Sequence, residues 1–187
     1  MKSDKGNNVQ FLTAKLNETL SAADDKEKLY DSIVNAPFVY TVDMAFLFLG
    51  IIVLLLVDNK SNTINRVRLS NTEQAKQTTD VSTVPFSKIK IPYDTDDNVI
   101  ARTIKSNKPH VTSDWKYLFS PVLNENQARI NQASGGIGLS CIFPLDITRG
   151  GALIFSFFQF DGTLNEAQKK FMKEYTAIAS KELKRFL

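Results

Sequence analysis

Apolar positions recur at helical spacing at both ends of the chain. Val9, Leu12, Leu16 and Leu20, then Leu29, Ile33 and Val34, predict one or two amphipathic helices over 8–34, with the polar run SAADDKEK between or within them. At the other end, TLNEAQKKFMKEYTAIASKELKRFL places Leu164, Ala167, Phe171, Tyr175, Ile178, Ala179 and Leu183 on one side of a long helix. A Thr163-x-x-Glu166 capping box would open it. Between these ends the period changes. TINRVRLS, 63–70, mixes apolar and polar positions like a half-exposed strand, and NKSN before it is turn chemistry, so 51–70 reads as a β-hairpin. GIGLSCIFPL, the turn DITRGG and ALIFSFFQF predict a second hairpin, and FSKIKIP (86–92) an isolated strand. NTEQAKQTTDVSTV has no aliphatic periodicity and reads as the longest loop. A short helix capped by Asp96 or Asp97, irregular chain through Trp115, and a helix over 125–133 fill the middle.

The most apolar run, MAFLFLGIIVLLLV (44–57), admits two readings. As a membrane helix it spans roughly 21 Å, short of a ~30 Å hydrocarbon core. Extension back to Ala36 brings in Asp43 at a cost of ~3 kcal/mol. The alternative splits the run. Pro37 opens a helix carrying Phe38, Thr41, Val42, Ala45, Phe46 and Leu49 on one face, Gly50 supplies its C-terminal cap, and IIVLLLVD (51–58) is a central strand buried on both faces. The split is favoured because Gly50 punctuates the run where a boundary belongs.

Composition narrows the function more than it directs it. At 187 residues and 43% apolar content the chain suits one sizeable core. The net charge of +3 arises from acidic and basic residues mixed along the chain, without the basic block of a nucleic-acid groove. One cysteine and one histidine make neither a disulfide nor a zinc cluster. MKSDKGNN lacks the apolar core of a signal peptide, so a reducing cytoplasm is the expected location.

Several segments, in this order, resemble GAF domains: VLLLVDNKSNTINRVRLS as first hairpin, NVIARTIKSNKPHVTSDW as the short helix with its Lys-Pro turn and acidic residue, GIGLSCIFPLDITRGGALIFSFFQF as penultimate hairpin, and FMKEYTAIASKEL as closing helix. The resemblance spans roughly 31–187. It implies an α+β fold, a three-layer α/β/α sandwich around an antiparallel sheet of about six strands, with 35–187 as the GAF-like domain and 1–34 as an N-terminal helical region. The first and last helices would share one face, and short helices would roof a small-molecule pocket on the other. It also implies sensing: binding of an unidentified small molecule, and signalling through dimer helices. It leaves the cofactor unknown, because the residues depart from the better-known subclasses. Asn59-Lys60 lacks the rest of the phosphodiesterase-type cyclic-nucleotide signature, Cys141 precedes Ile142 and not the His of tetrapyrrole attachment, and the single cysteine falls short of the two or more that methionine sulfoxide reduction requires.

On that frame the candidate ligand-binding residues are His110 after Pro109 at the pocket mouth, Asp114 and Trp115 as acceptor and flat wall, Arg129 and Gln132 (with Asn131) on the pocket-side helix, and Ser140 and Ser156 (with Gln159) along the last two strands. Cys141, between apolar neighbours on a strand, reads as a buried side chain and not a nucleophile. Catalysis through Cys141 or His110 would need a second partner that the sequence does not offer, so the chain is expected not to be an enzyme. A dimerisation module without a ligand, membrane-anchored if 36–57 spans, is the other reading. The terminal stripes carry more apolar surface than one shared contact obviously buries, which predicts a homodimer through the terminal helices.

Overall fold

The computed structural model describes residues 4–40 and 47–187, with 4–8 described as helix only. Two helices, α1 (Asp4–Ser21) and α2 (Lys26–Val39), precede the sheet. Its strands are β1 (Leu49–Asp58), β2 (Thr63–Leu69), β3 (Lys90–Pro92), β4 (His110–Thr112), β5 (Leu139–Pro144) and β6 (Gly151–Phe157). The remaining helices are α3 (Glu73–Asp80), α4 (Val99–Ser106), α5 (Lys116–Phe119), α6 (Glu125–Ser134) and α7 (Glu166–Leu183). The strands form one sheet in the order β3-β2-β1-β6-β5-β4, antiparallel throughout. This is the three-layer α+β arrangement that the sequence implies.

Period-two alternation sorts the sheet into two cores. Ile52, Leu54, Leu56, Cys141, Leu153, Phe155 and Phe157 face α1, α2 and α7, while Ile51, Val53, Leu55, Val57, Ile142, Ala152 and Ile154 face α3–α6. β1, between β2 and β6, is apolar on both sides because both faces are covered. On the first face Phe155 sits edge-on to Phe171 and Tyr175, whose own rings stack 5.4 Å apart.

Several boundaries differ from the expected ones for identifiable reasons. Pro37 does not open a helix but lies in the last turn of α2. Proline has no N–H to return to the carbonyl four residues back, and that carbonyl, Ile33 O, instead accepts the Tyr175 hydroxyl at 2.8 Å. Gly50 is inside β1 and caps nothing, and the strand leaves no room for a spanning helix over 36–57. Among the described residues no helix is long and apolar enough to cross a membrane. The expected helical positions Thr41, Val42, Ala45 and Phe46 lie outside the described residues. Part of the longest expected loop is α3, capped by Thr72, whose side chain accepts from Ala75 N. This helix buries only Ala75 and Thr78, so it leaves no aliphatic stripe to read. Within 86–92 a tight turn at Phe86–Lys88 precedes a three-residue strand, and β4 occupies chain expected to be irregular. The caps move too. Asn98 replaces Asp96 or Asp97 at α4, and the α7 capping box is Asn165 with Gln168, not Thr163 with Glu166.

Most of the two terminal stripes that suggested a dimer packs together, with Ile178 only half-buried. Val9, Leu12, Leu16 and Leu20 pack within the same core as Phe171, Tyr175 and Leu183, all fully buried in one protomer. Outside this core on α1, Phe11 remains 59% exposed, with the Lys15 ammonium 4.2 Å from its ring centroid.

Candidate functional site

The α3–α6 side of the sheet holds a narrow slot. Its floor is Ile51 and Val53 of β1, Arg66 and Leu69 of β2, and Ile154 and Ser156 of β6. Its roof is the end of α3 and the following loop (Thr78, Ser82, Val84, Phe86), with Trp115 and Phe119 closing one side and Asn131 of α6 another. The space inside is about 30 Å³, an order of magnitude below the roughly 300 Å³ at which small-molecule sites begin. Water fits and a metabolite does not, unless the roof moves. Three hydrogen bonds tie this roof to α6: Gln127 Nε2 to Val81 O at 3.1 Å, Asn131 Nδ2 to Ser82 Oγ at 3.1 Å and Ser134 Oγ to Gln77 O at 3.2 Å.

Trp115 is the best-fixed wall of the slot. Gln132 Oε1 accepts its backbone N–H at 2.9 Å, and its indole N–H donates to Ser140 Oγ at 2.9 Å. Ser140 and its cross-strand partner Ser156 are joined by a 2.8 Å hydroxyl contact. Both hydroxyls are buried, and either can be the donor in this contact. Ser156 also lines the slot.

The expected ligand residues therefore scatter. Trp115 and Ser156 line the slot, and Ser140 and Gln132 stand behind them. Gln132 also donates to Ser113 O and Ile137 O, which makes it a clamp across the loop. Asp114 and Arg129 lie outside the slot and are paired with each other, Nη2 to Oδ2 at 2.7 Å, while Arg129 Nη1 holds Glu125 at 2.6 Å. Burial alone would raise the Asp114 carboxyl, but the hydrogen bonds from Arg129 and the Lys116 N–H, with their charges, hold it below the usual range. His110 is away from the slot on edge strand β4, its Nδ1 2.9 Å from Lys108 O and 3.0 Å from Thr103 Oγ1. Thr103 gives its proton to Val99 O, so Nδ1 is the protonated nitrogen in this network. Gln159 lies off the slot as well, bonded to Gln168 and Asp161. Cys141 belongs to the opposite core, and burial pushes its thiol up to about 12, which keeps it neutral and unreactive.

Arg66 is the slot residue that the sequence reading passes over. In a regular strand 64, 66 and 68 share a face. Here Leu54 pairs with Arg68 and Leu55 with Arg66, so Val67 is the extra residue of a bulge. Arg66 keeps the inward face it shares with Ile64, and the bulge sends Arg68 to the other face, where it meets Glu27 and Asp31 of α2. The Arg66 guanidinium carbon lies 4.2 Å from the Phe119 ring centroid and 5.8 Å from that of Phe86. Its Nε is sealed from solvent without a hydrogen-bond acceptor, and no carboxylate among the described residues pairs with it.

No protein-family model and no curated protein matches this sequence. Solved structures do match in fold. The GAF domain of a phosphoenolpyruvate-protein phosphotransferase from Coxiella burnetii superposes with a TM-score of 0.66 at 11% identity, covering 98% of this chain and 96% of that one. The fold is that of a GAF domain. A methyl-accepting chemotaxis protein fragment, residues 122 to 287, gives a TM-score of 0.58 at 12% identity over 94% of this chain and 97% of its own. The GAF-fold free methionine-R-sulfoxide reductase of Neisseria meningitidis, in complex with its substrate, gives 0.63 at 14% identity over 99% and 95%. The last of these corrects the expectation that the chain is not an enzyme: an enzyme shares the fold, so the fold gives no ground for excluding catalysis.

Proposed function

We propose that this GAF-fold chain is a sensory or regulatory domain that binds a small molecule in the slot between the sheet and the α3 roof. The observation that carries the reading is the construction of the slot. A floor of central strands and a hydrogen-bonded Trp115–Ser140–Ser156 chain face a roof tied to α6 by hydrogen bonds, with Ala75, Val84 and Phe86 packed on the core. A ligand that wedges under that roof displaces α3 and the 81–89 loop, which supplies a structural output without any change in the sheet. The neighbours' names, a chemotaxis protein and a phosphotransferase among them, agree with regulation.

A thermal-shift screen of metabolites against the full chain tests this. A ligand at a hundred times its Kd adds ~2.7 kcal/mol to the native state, which raises Tm by about 5–10 °C for a chain of this size. Stabilising compounds should lose their effect in Thr79→Phe, which fills the slot mouth from a half-exposed position. Hits that stabilise both proteins equally, or a screen without hits, would contradict the reading.

A further inference from the structure

Arg66 sets a chemical requirement on whatever enters the slot. Arg66 is half-buried, and its Nε is sealed from water without an acceptor, a position that natural proteins complete with a carboxylate or a set of acceptors. Here the protein provides two aromatic faces, Phe119 and Phe86, and no anion among the described residues. Cation–π contact with these rings stabilises the charge but supplies no hydrogen-bond acceptor. Burial pulls the group down to about 9, so it is still charged at neutral pH.

We infer that the slot takes a small organic monocarboxylate, its carboxylate on the Arg66 guanidinium and its apolar body along the Ile51, Val53 and Ile154 floor. This rests on the slot being the ligand site. Three observations choose the class. The cation lines the slot, with the Phe119 ring 4.2 Å from its guanidinium carbon, and a guanidinium fork meets a carboxylate with two parallel hydrogen bonds. The other lining groups are apolar or neutral, so Arg66 balances one negative charge and not two. α3 and α6 reach the slot through Thr78, Thr79 and Asn131 in their C-terminal halves, the negative ends of their dipoles, which further disfavours a dianion such as a phosphate monoester. Elsewhere in the lining, the Ser156 hydroxyl offers a neutral polar group to a second polar atom of the ligand.

The test titrates the full chain at pH 7.5 with hexanoate and benzoate, their neutral counterparts hexanamide and benzamide, and phenyl phosphate. It reads the fluorescence of Trp115, the sole tryptophan, which lines the slot. The acids should bind about 10–100-fold more tightly than the matched amides, and more tightly than phenyl phosphate. In Arg66→Met, which keeps the stem and removes the charge, acid affinity should fall to that of the amide while amide affinity changes less than threefold. Its Tm should change little, because the half-buried guanidinium makes no ion pair among the described residues. Amides binding as well as acids, or phenyl phosphate binding best, overturns the monocarboxylate assignment and leaves the slot as a ligand site. If no compound of the five perturbs Trp115, and the metabolite screen also yields none, the slot reading falls with it.

Discussion

Cys141 and Arg66 stand on opposite faces of one sheet, and burial acts on them in opposite senses. The thiol has an easy neutral form, so burial holds it neutral, with an ordinary value near 9 pushed up to about 12. Its stability contribution follows from that sign. Above pH 9 the unfolded chain loses the thiol proton first, so the contribution is complete below pH 9 and declines as pH rises toward 12. Cys141→Ala should lose about 1 kcal/mol of packing at pH 7. The gap between it and the parent should narrow above pH 9, as measured by urea melts across that range, and a gap that widens would contradict the burial argument. Cys141 was legible in the sequence because its neighbours Leu139, Ile142 and Phe143 announce a buried strand. Arg66 was not, because TINRVRLS looks half-exposed until a bulge separates Arg66 from Arg68, and bulges leave no mark in the apolar pattern.

At the scale of elements, the same limit recurs. Long helices and central strands were legible because each carries a wide apolar stripe, and both hairpins and the terminal helices form close to where the pattern puts them. α3 was not, because it lies over the slot with only two buried side chains. Pro37 was misread for another reason. A proline within a helix is tolerated only if something far away satisfies the freed carbonyl, and Tyr175 lies 142 positions from Ile33. Tyr175→Phe should therefore cost about 1–3 kcal/mol by leaving a buried acceptor unpaired. In a Pro37→Ala background the restored N–H can reach Ile33 O, and the same substitution should cost much less. A double-mutant cycle by chemical denaturation reads this coupling, and equal costs in both backgrounds would show that the hydroxyl has no such role.

The whole molecule is asymmetric about its sheet. The α1, α2 and α7 layer packs aromatic and aliphatic side chains onto one face, whereas the α3 side closes a slot with short helices, a loop and polar ties. Of the candidate site, the aromatic wall Trp115 and the strand position Ser156 were found from residue type and alternation. His110, Asp114 and Arg129 drew attention for their chemistry but are absorbed by local partners that only the fold brings together. The most direct measurement of the central claim is the NMR resonance of the Trp115 indole Nε1–H, the single such signal in the chain and one hydrogen-bonded to Ser140 at the slot wall. Titration with any compound that stabilises the domain should shift this resonance together with the backbone amides of 78–89. A stabilising compound that leaves the indole signal unmoved, while shifting amides of α1 or α7, would place the ligand elsewhere and contradict the account.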